Sequence, residues 1–207
     1  LSRELTLEGL VWDSRDQSAS PRAFEGSYGG IYNSVIQSER LRRILFSLWG
    51  STDPLHHLDE FVADAMRHAR ALAPRPVVLD LPCGGGTLFQ RIHGSGVDAS
   101  VVAIDLASAM LARAVALREA VVPLLDVTFV RGDATALPLA RDSVDVVLSV
   151  NGLHVMPDAS AFLSEIARVL RPGGGLWMIT PVTGGSLRSR AILAAARRSV
   201  ASMTEKS

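Results

Sequence analysis

A doubly wound α/β fold, a mostly parallel sheet with helices on both faces, is what this sequence predicts, on three observations. From Val77 onward, short β-branched apolar runs alternate with longer segments of helical period. The alternation recurs through five strand-like runs, which is the pattern of βαβ units rather than of hairpins. A glycine-rich turn, Gly84–Gly85–Gly86, follows the first run directly, where such sheets place their ligands.

The expected strands are "VVLDL" (77–81), "SVVAID" (100–105), "DVTFVRG" (126–132), "SVDVVLSV" (143–150) and "GLWMITPV" (175–182). Each is mostly apolar, as strands covered on both faces must be. Between them "TLFQRIHG", "ASAMLARAVALREA" and "DASAFLSEIARVLR" space apolar residues three and four apart, the period of a helix with one buried stripe. Asp158 is placed to cap the last of these, and "RPGGG" after Leu170 is a helix stop.

The segment before Val77 reads differently. "LTLEGLVWDSRD" alternates enough for a short strand or hairpin, and "SPRAFEGSYGG" is loop-like. "IYNSVIQSERLRRILFSLWG" and "PLHHLDEFVADAMRHARAL" predict two helices. Residues 1–76 are therefore expected to form an N-terminal helical cap packed against the open edge of the sheet, and residues 77–207 the ligand-binding core.

Composition excludes several classes. Lys plus Arg and Asp plus Glu number 21 each, so no basic excess points to nucleic acid. A single cysteine, Cys83, rules out an intramolecular disulfide and a cysteine-rich zinc site. No His or Cys cluster has ligand spacing beyond the His56–His57 pair, so no metal is expected. The sequence holds no secretory signal and no apolar run of about twenty residues, so a cytoplasmic protein without stable membrane insertion is the expectation.

The glycine turn carries the functional argument. Missing side chains let the backbone approach a ligand, and the helix start behind the turn offers unpaired N–H groups. The dinucleotide fingerprint needs a third glycine, yet Gly84 and Gly86 are followed by Thr87, Leu88 and Phe89. Asp80, just before the turn, would repel a pyrophosphate and attract an ammonium or sulfonium group.

At this point "VLDLPCGGG" resembles the first motif of class I S-adenosylmethionine-dependent methyltransferases, and the resemblance continues in order along the chain. "VVAIDLASAML", "FVRGDATALPL", "SVDVVLSVNGLHVMPD" and "EIARVLRPGGGLWMITPV" extend it over about residues 60 to 185. The resemblance implies a Rossmann-like core with S-adenosyl-L-methionine as cofactor. It implies that the turn around Asp80, Pro82, Cys83, Gly84 and Gly86 lies under the methionine half. It implies that Asp105 takes both ribose hydroxyls, an acceptor-only group facing a diol. Leu106 and Met110 would lie near the cofactor, Asp133 and Ala134 would face the adenine, and Asn151 would stand where cofactor and acceptor meet. His154, in the same turn, is the candidate general base. Cys83 also reads as a small buried filler, and Asp133 as the cap of its own turn.

Two departures stand out. Pro82 occupies the family's usual first glycine position. After the fifth strand "SLRSRAILAAARRSVASMTEKS" supplies about one helix, so the expectation is that either the sequence is a piece of a longer chain or the family's C-terminal antiparallel strand pair is missing and the fifth strand is an edge. The edge so left would need cover from the amino-terminal "LTLEGLVW" or from a second subunit in a homodimer.

The aromatic residues of the cap, Phe24, Tyr28, Tyr32 and Trp49, could close over a cofactor and shape an acceptor pocket. The resemblance thus implies a methyltransferase acting on a small-molecule acceptor, quinone-type or natural-product-like. Two alternatives stay open: a non-catalytic module that binds the same cofactor, and a nicotinamide-dependent oxidoreductase. Against the latter stand the absent third glycine, Asp80 and the lack of a Tyr-x-x-x-Lys pair.

Overall fold

The computed structural model describes residues 4–6, 11–13 and 57–180, and all statements below concern these. In chain order the elements are β1 (Glu4–Thr6), β2 (Val11–Asp13), α1 (Leu58–Leu72), β3 (Val77–Asp80), α2 (Phe89–Gly94), β4 (Ser100–Asp105), α3 (Ser108–Val121), β5 (Val127–Arg131), β6 (Val144–Val150), α4 (Ala159–Val169) and β7 (Leu170–Ile179). A one-turn 3₁₀ helix at Leu153–Val155 lies between β6 and α4.

The sheet order is β1-β2-β5-β4-β3-β6-β7. The five core strands are all parallel, and β3 sits between β4 and β6, so the chain winds first one way and then the other from β3. This is the doubly wound, Rossmann-like arrangement the alternation predicts. The reversal opens a crevice at the carboxyl ends of β3, β4 and β6, which is where the fold binds ligands.

Alternation along the strands divides the core into two layers. Val78, Val146 and Leu148 face α1, α2 and α3, packing with Val62, Met66, Phe89, Ile92 and Leu111. Leu79, Leu81 and Val147 face the other way onto Phe162, Ile166 and Val169 of α4. These last three recur at i, i+4 and i+7, one stripe of the helix.

Asp158 caps α4 as expected, its Oδ1 accepting from the Ser160 and Ala161 amides, each at 2.9 Å. We expect Asp158→Ala to cost about 1 kcal/mol by orphaning those donors. In a chain of this size that lowers Tm by about 2–4 °C. An unchanged thermal melt would contradict the capping role.

α1 is the second of the two helices expected for the cap. Its buried residues Leu58, Val62, Ala65, Met66 and Ala69 form a continuous stripe, and the helix packs on the β6–β7 face and on α2. It therefore serves as a layer of the core. Trp177 Nε1 donates to Asp64 Oδ2 at 2.9 Å, and His68 Nε2 bonds the Gly173 carbonyl at 2.9 Å, tying α1 to β7. The first expected cap helix, together with Phe24, Tyr28, Tyr32 and Trp49, lies outside the described residues.

The cover of the sheet edges differs from expectation. β1 and β2 form the antiparallel hairpin, but β2 pairs in parallel with β5, Val11 opposite Phe129. The amino-terminal strands thus shield the β5 edge, which would otherwise expose its own unpaired backbone groups, and not the fifth-strand edge. Among the described residues β7 remains the outer strand.

β7 also starts earlier than expected. Leu170 pairs with Val144 and Gly175 with Val146, so residues 171–174 bulge out of register. Gly173, at φ +83°, supplies the left-handed turn this needs. Arg171 Nη1 anchors the bulge on the buried Asp145 at 2.7 Å, whose other oxygen takes the Val77 amide at 2.7 Å.

Candidate active site

The site begins at the end of β3. The chain leaves Asp80 through a cis Leu81–Pro82 bond and enters the turn with Gly84 at φ +52° and Gly86 at φ +81°. Three bonds stitch the turn to its neighbours. Leu81 N–H donates to the Leu148 carbonyl of β6 at 2.9 Å, and Cys83 N–H to the Ile104 carbonyl of β4 at 2.9 Å. Gly84 N–H donates to Asp105 Oδ2 at 2.8 Å.

Asp105, the last residue of β4, is 9% exposed. Its Oδ1 accepts from Ala107 N–H at 2.9 Å, so both oxygens are oriented by backbone donors while each keeps capacity for another. Burial pushes its pKa up, and the amides of Ala107, Gly84 and Leu106 oppose that shift.

A cavity of about 410 Å³ opens beside this turn. Of the sequence-predicted residues it brings together Pro82, Gly84, Asp105, Leu106, Met110, Asp133, Ala134, Asn151 and His154. A side chain at Gly84 would meet nothing within 4 Å, so the missing Cβ leaves backbone open to the cavity. An adenosine-type cofactor fits this set: an acceptor pair for a diol, bare backbone beside it and apolar surface above.

Asp80, Cys83 and Gly86 do not line the cavity. Cys83 is 4% exposed and lies within the apolar core, as a filler would. A Cβ at Gly86 would stand 2.7 Å from the Phe89 ring, so this glycine allows the helix behind the turn to pack close. Asp133 lines the cavity and also caps its own turn, its Oδ1 accepting from Thr135 N–H at 2.8 Å and from the Thr135 hydroxyl at 2.7 Å.

Asp80 lies beneath the turn at 2% exposure, and among the described residues its Oδ2 has no hydrogen-bond partner. Burial, and then the Asp105 charge, push its pKa well above the ordinary carboxyl value. A group whose folded pKa is raised stabilises fully below its unfolded pKa, and that contribution is lost as pH rises through the folded pKa. We expect Asp80→Asn, which cannot ionise, to melt higher than the parent at pH 8 by about 1–2 kcal/mol of stability without ligand. The advantage should shrink on acidification. A variant melting at or below the parent at pH 8 would refute the account of a strained buried carboxyl.

The far wall comes from the turn after β6. Asn151, at φ +57°, breaks the strand while its N–H donates to the Ile179 carbonyl of β7 at 2.7 Å. The sharp turn this makes swings His154 to the cavity, where the side chain stays exposed to solvent on one side and partial desolvation lowers its imidazole pKa. The ring is then the neutral base at neutral pH.

Sequence reading missed the apolar rim Val150, Val155, Met156 and Pro157, and the wall residues Leu81 and Ile104. The available signal was "HVMP" itself, apolar side chains in a turn where polar ones are ordinary. Among the described residues no three His, Cys, Asp or Glu side chains gather as a metal site would require.

Comparisons with known proteins agree with this geometry. Residues 78–174 match a family model described as a methyltransferase domain. The demethylmenaquinone methyltransferase of Beutenbergia cavernae is 44% identical over 147 residues, covering 71% of this chain and 55% of that protein. A phthiotriol/phenolphthiotriol dimycocerosates methyltransferase of Mycobacterium ulcerans is 42% identical over 99 residues, covering 48% of this chain and 35% of its own. The chain spans about half the length of the first curated relatives it matches, 47% and 55% of them.

Among solved structures, a protein assigned as an S-adenosyl-L-methionine-dependent methyltransferase from Methanococcus maripaludis aligns over 92% of this chain and 78% of its own. Its TM-score is 0.60 at 17% identity, a likeness of fold. Ordered motifs, sheet reversal, glycine turn and these relatives converge: residues 78–174 match a methyltransferase domain, and the chain is similar to class I S-adenosylmethionine-dependent methyltransferases, which use S-adenosyl-L-methionine.

Proposed function

We propose that this chain is the cofactor-binding core of a methyltransferase acting on a small, largely apolar acceptor of quinone or related ring type. The observation that carries the reading is the 2.8 Å bond from Gly84 N–H to Asp105 Oδ2. It makes the surface for the methionine half and the acceptor pair for the ribose diol one rigid unit. Asp133 and Ala134, further along the same cavity, suit the adenine end, and Val150, Val155, Met156 and Pro157 form an apolar wall for an acceptor ring. The two relatives named above, whose own names specify demethylmenaquinone and phthiotriol-type lipids, support that acceptor class.

When bound, the cofactor supplies a sulfonium methyl group, which leaves with the electron pair returning to sulfur as a neutral thioether. The protein's part is to align the acceptor atom with that methyl, which is worth several kcal/mol by orientation alone. The apolar rim excludes water from a step in which charge disperses. His154, uncharged and at the mouth, receives the proton that the acceptor loses as its new bond to carbon forms.

This reading retains residues 77–207 as the cofactor-binding core, with α1 as one of its layers, and assigns acceptor choice to the segment before it. It includes a small-molecule partner rather than nucleic acid, a cytoplasmic location and a homodimer. The test is product formation: a reduced demethylmenaquinone analogue with labelled cofactor should yield labelled quinol and S-adenosylhomocysteine in equal amounts. Binding without turnover across quinol, phenol and amine acceptors would overturn the transferase reading. Among the described residues no helix is long and apolar enough to cross a membrane.

A further inference from the structure

The loop from β5 to β6 carries Asp133 and Ala134 to the cavity, yet from Leu137 onward it is held from outside by the last turns of α4. Leu137 N–H donates to Glu165 Oε2 at 2.7 Å. Arg168 returns two bonds to the same stretch, Nη2 to the Leu137 carbonyl at 3.0 Å and Nη1 to the Leu139 carbonyl at 2.8 Å. The two side chains brace each other in a bidentate pair, Nε to Oε1 at 2.7 Å and Nη2 to Oε2 at 2.8 Å. Their side chains are 26% and 19% exposed for Arg168 and Glu165. Farther along, Asp142 N–H donates to the Arg168 carbonyl at 3.1 Å, so the loop's return is fixed to the same turn of helix.

An ordinary surface ion pair of this spacing contributes little to stability. This one differs because three further bonds of its two side chains end on an irregular loop whose other end forms a cavity wall. Leu137 is 5% exposed and belongs to the same core layer as Ala134, so the held position of Leu137 bears on the wall through that layer. Arg168 is suited to the task, since a planar guanidinium serves a carboxylate and two carbonyls at once, which an ammonium cannot do.

We propose that Glu165 and Arg168 are positioning residues that set selectivity for the nucleobase of the cofactor without touching it. The proposal rests on the reading above that Asp133 and Ala134 face that base. On that reading the Asp133 carboxylate accepts from a 6-amino group and is repelled by a 6-oxo group, and the discrimination depends on where the loop is held.

The test is calorimetric titration of the full chain with S-adenosylhomocysteine and with its 6-oxo counterpart, S-inosylhomocysteine, in the parent, Glu165→Gln and Arg168→Lys. The parent should prefer the adenosine compound. Arg168→Lys should lower that preference by about fivefold to tenfold, as expected when a wall moves by a fraction of an ångström. Glu165→Gln, which keeps an acceptor for Leu137 N–H, should lose less. A merely structural role would lower Tm or the binding-competent fraction and leave the preference ratio unchanged in both variants, overturning the proposal. A parent that does not discriminate would instead remove the assignment of the base to Asp133 and Ala134, and the proposal with it.

Discussion

Asp105→Ala is expected to bind S-adenosylhomocysteine about 1–3 kcal/mol more weakly than the parent, the loss typical of charge-assisted hydrogen bonds to a diol. Two routes lead to that loss. The acceptor pair disappears, and so does the anchor for the Gly84 and Ala107 amides, at 2.8 and 2.9 Å, that hold the turn beside it. Asp105→Asn separates them, since it preserves shape and one acceptor oxygen; it should fall between parent and alanine variant. Because burial raises the Asp105 pKa, affinity should also weaken as pH falls through that raised value, and the variants should lack this dependence. Isothermal titration across pH measures all of this. Equal affinity in Asp105→Ala and the parent would remove the ribose assignment.

His154→Gln is expected to reduce kcat by about a hundredfold with any acceptor that loses a proton, the lower end of what a positioned base contributes. The affinity for S-adenosylhomocysteine should hardly change, because the glycine turn and Asp105 remain. In the parent the rate should fall as pH drops through the His154 pKa, which burial places on the acid side of the ordinary imidazole value. The variant's profile should be flat over that range. A kcat within a few-fold of the parent would reduce His154 to a wall residue and leave positioning as the whole of catalysis.

Much of this was legible in the sequence because the signals were local. Strand runs with β-branched residues, the Asp158 cap and the i, i+4, i+7 stripe Phe162–Ile166–Val169 are consequences of neighbours along the chain. Asp105 and the glycine turn were legible for the same reason, each marking the end of a strand at the expected spacing. What escaped is set by partners distant in sequence. The placement of β2 beside β5 depends on which sheet edge is free, and it brings Trp12 opposite Val130, far along the chain. The role of α1 as a core layer depends on contacts such as Trp177 with Asp64, 113 residues apart. The sequence suggests Asp80 as a charge facing the ligand, whereas the packing leaves it 2% exposed. The Glu165–Arg168 brace had no sequence signal beyond an ordinary i, i+3 pair.

The central claim is that the glycine turn and Asp105 form one site for a sulfonium-bearing adenosine cofactor. Titration of the purified chain with S-adenosylhomocysteine, with NAD run in parallel, tests it most directly. The account predicts one site per chain for S-adenosylhomocysteine, weakened in Asp105→Ala, and no heat from NAD. Saturable binding of NAD at the same site, or no binding of S-adenosylhomocysteine by a folded chain, would contradict it.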